Sequence, residues 1–188
     1  MAPTTTLVPL ESLPPRGAVY RDGKLYLQGA VPTEEIAQQF VDRAAEVIGA
    51  ENVINEYVVR PDAPEPTDGN VRVEQAVLFQ SGSAVIAPEF EPILSLGIAV
   101  MNLNPQVRMV VEGHTDDVGS DELNLALSQR RAEAAVAWIV ANGGIDPSRF
   151  EPVGFGETEP VADNESPEGR RINRRIEVRL IDLLLPQE

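Results

Sequence analysis

Residues 107–124 read VRMVVEGHTDDVGSDELN. Val107 to Val111 (VRMVV) reads as a buried strand, Gly113 to Asn124 (GHTDDVGSDELN) is polar, and Glu122 to Ala141 reads as a long helix. A buried strand that passes through a polar loop into a helix is the step from which α/β folds are built. The flanking chain repeats it. Upstream lie a strand at Val73 to Phe79 and a mostly apolar helix at Glu89 to Leu103; downstream lie a short strand at Phe150 to Gly154 and a closing strand at Arg174 to Leu180. The expected fold class is α/β, an α+β sandwich of βαβαβ type with helices packed on a mixed sheet.

A smaller unit precedes this one. Gly23 to Val31, GKLYLQGAV, alternates Leu25 and Leu27 against Tyr26 and Gln28 and enters through an Asp22-Gly23 turn, as a strand does. Thr33 is placed to cap a helix whose apolar positions, Ile36, Ala37, Phe40, Val41, Ala44, Val47 and Ile48, recur at helical spacing until Gly49. Val53 to Val59 then reads as a second strand. Pro61 to Gly69, PDAPEPTDG, carries three prolines and three acids and reads as an extended, exposed linker. The expected organisation is therefore a β-α-β unit at 1–60, a linker at 61–69 and the main domain at 70–182.

Composition narrows the function. Fifteen basic against thirty acidic residues give a formal net charge of -15, which argues against nucleic acid as the main partner, because phosphate binding needs clustered cations. Lys24 is the only lysine, and the remaining cations are arginines, suited to forked recognition of carboxylates. Without cysteine there is no disulfide scaffold, thiolate metal site or cysteine nucleophile. The longest uncharged stretch, Pro92 to Val107, is broken by Asn102, Asn104 and Pro105 and falls short of the roughly 20 apolar residues of a membrane helix. Met1 to Pro15 shows no export signal, so the expectation is either a cytoplasmic protein or a portion whose natural N-terminus lies elsewhere.

The loop at 113–124 is the densest polar constellation. A loop entering a helix N-terminus offers backbone N–H groups and a positive dipole end to an anion such as a carboxylate. At about 100° per residue, Asn124, Ser128 and Arg131 share a helix face, while Arg130 points about 120° away. The geometry nominates Arg131 as the cation facing the loop acids Asp116 and Asp117. A carboxylate and a guanidinium beside one pocket match a zwitterion such as a free amino-acid end; spacing alone leaves open that Asp116 and Arg131 merely pair with each other.

Several fixed spacings occur together: GHTDDVG at Gly113 to Gly119, Asn124, LSQRRA at Leu127 to Ala132, GFGETEPVADN at Gly154 to Asn164, and EGRRINRRIEV at Glu168 to Val178. From Val73 to Leu180 the chain resembles the OmpA-like peptidoglycan-binding domain. The resemblance implies a non-enzymatic domain, needing no cofactor or metal, that grips the diaminopimelate side chain of the cell-wall stem peptide. It implies Asp116, rather than Asp117, as acceptor of the ligand's ammonium, and Arg131, with helix N-terminal amides, as holder of its carboxylate. Asn124, Thr115 and Val118 fall on further ligand-side positions, and Arg174, in the Asn-Arg-Arg segment, lines the pocket or orients its loop. The segment Phe79-Gln80-Ser81-Gly82-Ser83 departs from the family, which often has an acid directly after the phenylalanine.

The other arginines of the 170–179 island, Arg170, Arg171, Arg175 and Arg179, read as ion-pair partners of the abundant acids. His114, the sole histidine, lacks the second histidine or cysteine set of a metal or catalytic centre and reads as a packing residue at the strand end. No Gly-x-Ser-x-Gly elbow is present, Gly154-Phe155-Gly156 lacks the third glycine of a dinucleotide loop, and Asp116, Asp117, Ser120 and Asp121 do not follow calcium-loop spacing. The first unit resembles half of a BON module without its usual preceding helix. Its five basic against eleven acidic residues up to Gly69 give no attraction to anionic lipid, so docking to an envelope protein stands beside a membrane role. The expectation is an envelope protein of the periplasm or cell wall, anchored through a segment outside this chain and tethered to peptidoglycan. The alternatives are a metal-dependent wall hydrolase using His114, Asp116 and Asp117, or a lipid or protein adaptor led by the N-terminal unit.

Overall fold

The computed structural model describes residues 9–14, 16–21, 23–64 and 71–181. Its strands are β1 (Gly17–Arg21), β2 (Lys24–Val31), β3 (Val53–Val59), β4 (Val71–Leu78), β5 (Arg108–Gly113), β6 (Phe150–Gly154) and β7 (Arg175–Ile181). Its α-helices are α1 (Glu34–Ile48), α2 (Glu91–Leu103), α3 (Asp121–Gly143) and α4 (Pro167–Asn173). All seven strands join one mixed sheet in the order β3-β2-β1-β4-β7-β5-β6, an α/β architecture as expected.

Local chemistry sets the element ends. Thr33 caps α1 by accepting from the Ile36 N–H, and Gly49 closes the helix. Ser120 caps α3 in the same way, and Gly144, in the left-handed region, ends it. The helices α1, α2 and α3 lie side by side, α1 over β2 and β3 and α3 over β5 and β6. They share one core, in which Leu27, Val31 and Phe40 of the first unit are continuous with Met101, Met109, Val111, Ile139 and Ile176 of the second. Burying each such side chain is worth about 1.5–3 kcal/mol.

Two strips of backbone approach closely because glycines permit it. A Cβ on Gly113 would stand 2.0 Å from the Ser128 carbonyl oxygen, and one on Gly154 would stand 2.5 Å from the Gln129 nitrogen. These two glycines let α3 rest directly on the ends of β5 and β6, which carry the polar loop.

The structure differs from the sequence expectation in four places. β1 was not anticipated; it pairs antiparallel with β2 and parallel with β4 at Ala18↔Val73 and Val19↔Glu74, so the strands of both sequence units join one sheet. α4 was also missed; its signal is Ser166-Pro167, with the Ser166 hydroxyl accepting from the Gly169 N–H. The expected linker does not begin extended: Asp62 accepts both Nε and Nη2 of Arg60, the Ala63 N–H donates to the Arg60 carbonyl, and Ala63 is buried. Its residues 65–69, like Met1 to Val8 and residue 182, lie outside the described residues. Finally, Arg174 does not open the last strand but ends α4, and β7 starts at Arg175.

Candidate functional site

The face of α3 expected from helical spacing is the buried one: Asn124, Ser128 and Arg131 are all enclosed, against an exposed Arg130. Asp116, expected opposite them, is 5% exposed. The loop leaving β5 is stitched to its surroundings through main-chain bonds. The Thr115 N–H donates to the Gly156 carbonyl, the Gly156 N–H donates to the Ser128 hydroxyl, and the His114 N–H donates to the Arg175 carbonyl.

Arg131, expected to hold the ligand's carboxylate, lies among main-chain carbonyls. It has no exposed surface. Its Nε donates to the Ser83 carbonyl at 2.8 Å, Nη1 to the His114 carbonyl at 2.7 Å and Nη2 to the Gln80 carbonyl at 3.2 Å, and its guanidinium lies 4.9 Å over the Phe79 ring. Burial pulls its pKa down to about 10 while Asp116 pulls it back up, so it remains a cation at neutral pH. The segment after Phe79 thus meets the site through its carbonyls. Helix spacing gives the direction of Arg131 but cannot give its depth, which the loop at residues 80–83 decides.

The guanidinium that meets the Asp116 carboxylate is that of Arg174. Its Nη1 lies 2.7 Å from Asp116 Oδ2, with side-chain exposures of 13% and 7%, and its Nε donates to the Phe79 carbonyl. Arg174 thereby holds the loop after β5 to the end of β4. A pair this enclosed is costly to part unless each charge meets a new partner of opposite sign.

The remaining expected residues divide. Asn124 Nδ2 donates to the Asp116 carbonyl and, at 2.5 Å, to Glu157 Oε2. Thr115 is buried beside Asp116, whereas Val118, 60% exposed, forms the loop tip with the exposed Asp117. The N-terminus of α3 is capped by Ser120, whose hydroxyl accepts the Leu123 N–H, and carries Asp121 and Glu122 in its first turn. Glu157 was missed by the sequence reading. Its signal was the Gly154-Phe155-Gly156-Glu157 string, which bends the chain over the start of α3.

His114 faces elsewhere. Its ring is fully buried and stacked on Phe155, centroids 5.5 Å apart. Among the described residues it gathers with Glu112 and Glu177, their ligand atoms within 4.8 Å of one another, and not with Asp116 and Asp117. Arg175 lies 2.6 Å from Glu177, and Arg179 lies 3.0 Å from Glu112. Two guanidiniums already balance the two carboxylates, so a dication here would be an uncompensated buried charge. Arg175 and Arg179 are thus ion-pair partners, as the sequence reading had them.

The OmpA family model matches residues 78–174, just over half of the 188-residue chain and spanning both Asp116 and Arg174. Outer membrane porin F of Pseudomonas fluorescens is 41% identical over 107 residues, 57% of this chain and 32% of the porin. The peptidoglycan-binding protein ArfA of Mycobacterium bovis is 30% identical over 164 residues, 81% of this chain and 50% of that protein. This chain therefore spans about a third of the first relative and half of the second. The crystal structure of the peptidoglycan-associated lipoprotein from Burkholderia pseudomallei superposes with a TM-score of 0.51 at 28% identity, covering 56% of this chain and 86% of that one. A family match over the strand, loop and helix that build the site, on a shared fold, establishes that the chain belongs to the OmpA family.

Proposed function

We propose that this chain binds peptidoglycan without altering it and holds an envelope protein to the cell wall. The observation that carries the proposal is the Asp116–Arg174 pair, an acid and a fork 2.7 Å apart, nearly enclosed yet reaching the surface beside the loop after β5. Support comes from relatives named for peptidoglycan binding and association. The ligand group is the zwitterionic end of diaminopimelate in the stem peptide. Asp116 takes its ammonium and Arg174 its carboxylate, while Arg131, behind them, fixes the loops that form the pocket; Asn124 and Thr115 shape its floor and Val118 its lip. No described helix is long and apolar enough to cross a membrane.

The N-terminal β-α-β unit, which lies outside the family match, we read as half of a BON module that docks a further envelope component. The chain acts as a tether rather than a hydrolase, since His114 is committed to the Glu112 and Glu177 side of the sheet. The test is pull-down of the full chain with purified sacculi, wild type against Asp116→Asn. Binding should be lost in the variant and no muropeptide released by either protein. Undiminished binding by Asp116→Asn, or release of wall fragments by the wild type, would sink the proposal.

A further inference from the structure

A second acid lies beside the Asp116 loop. Glu157 sits in the turn after β6, half-buried, with its Oε2 2.5 Å from the Asn124 Nδ2. The same amide nitrogen donates to the Asp116 carbonyl at 3.3 Å. One NH2 group therefore sets the Glu157 carboxylate beside the Asp116 loop. The turn has little freedom, because the Gly156 N–H is bonded to the Ser128 hydroxyl and the Gly156 carbonyl accepts the Thr115 N–H, both at 2.8 Å.

The two acids are unequally balanced. Asp116 has the Arg174 guanidinium at 2.7 Å. Among the described residues, Glu157 has only the neutral amide of Asn124. A half-buried carboxylate held only by a neutral donor is short of one cation, and a ligand's ammonium supplies it with charge-assisted bonds.

We propose that Glu157 is a specificity-determining residue of the pocket, taking the ligand's ammonium together with Asp116 so that the site selects a primary amine at the end of the stem-peptide side chain. This rests on the peptidoglycan-binding reading above and adds a residue that decides which ligand is preferred. Both acids take the amine, and Arg174 is left to turn its remaining N–H groups toward the carboxylate. A ligand with the carboxylate but no amine loses both acidic contacts.

The experiment is a calorimetric titration of the full chain with two synthetic stem tripeptides, one bearing diaminopimelate and one bearing 2-aminopimelate, which keeps the side-chain carboxylate but lacks its amine. Wild type and Glu157→Gln are compared. Glutamine retains an acceptor for Asn124, so a purely positioning role survives the change and only the charge is removed. Wild type should prefer the amine-bearing peptide, and Glu157→Gln should shrink that preference by about tenfold, the scale of one charge-assisted hydrogen bond, with affinity for the 2-aminopimelate peptide unchanged. A preference that survives at its wild-type value overturns the assignment of Glu157 alone. Failure of the wild type to bind either peptide overturns the peptidoglycan reading beneath it.

Discussion

Replacing Arg131 with methionine separates a clamp from a ligand fork. The wild-type guanidinium makes three bonds to main-chain oxygens, at Ser83, His114 and Gln80. The Gln80 carbonyl also accepts the Ser83 N–H at 3.1 Å and keeps a partner in the variant. The Ser83 and His114 carbonyls lose this donor, at about 1–3 kcal/mol each for a buried acceptor. The stacking over Phe79 adds about 1 kcal/mol, and relief from burying a charge in wild type takes part of the total back. The balance is a loss of about 3 kcal/mol, or about 6–12 °C in Tm for a chain of this length. Thermal unfolding followed by circular dichroism, run beside sacculus pull-down, reads both quantities. Lost binding with Tm within about 2 °C of wild type would show that Arg131 reaches the ligand directly, and the clamp would be refuted.

Gly113→Ala should be among the most damaging single changes, at about 3 kcal/mol or more of strain, because its methyl meets the Ser128 carbonyl at 2.0 Å; a soluble variant with wild-type Tm would contradict the close approach of α3 to β5. Arg175→Ala should cost about 3–5 kcal/mol by leaving buried Glu177 without its 2.6 Å partner, read as a shifted urea midpoint, and an unshifted midpoint would count against a structural role for that pair. Tyr57→Phe should hold or raise stability, by about 1 kcal/mol at most, because the buried Tyr57 hydroxyl has no hydrogen-bond partner among the described residues; a clear fall in Tm would contradict this. Burial also pushes the Tyr57 phenol above the ordinary tyrosine range. Its contribution to stability is complete below that range and is lost as pH rises through it, so absorbance at 295 nm should show Tyr57 ionising only as the fold is lost; three tyrosines titrating together in a folded protein would contradict the burial.

The order of strands and helices was readable because each long element carries its own period and its own stop. Thr33 to Gly49 shows cap, stripe and terminator, and Val53–Val59 is found where the alternation puts it. β1 was invisible because Gly17–Arg21 is five residues long, and what makes it a strand is its pairing with β2 and β4 rather than any pattern of its own. The site divides the same way. Helical spacing placed Asn124, Ser128 and Arg131 on one face, but whether a side chain on that face is open or enclosed depends on a loop 48 residues earlier in the chain, where Ser83 meets Arg131. The bond from Arg174 to Asp116 is a contact across 58 residues, and no local pattern contains it.

The single sheet also has a mechanical consequence. A tension applied between the loop after β5 and residue 17 cannot run along one strand; it must pass sideways from β5 through β7 and β4 to β1. The pairings β5 to β7 and β4 to β7 extend over six and five registered positions, while β4 to β1 has two. Under load the rungs at Ala18↔Val73 and Val19↔Glu74 are the ones that yield first. Pulled between these points, the molecule lengthens by letting go of its first three strands while the strands around Asp116 stay closed.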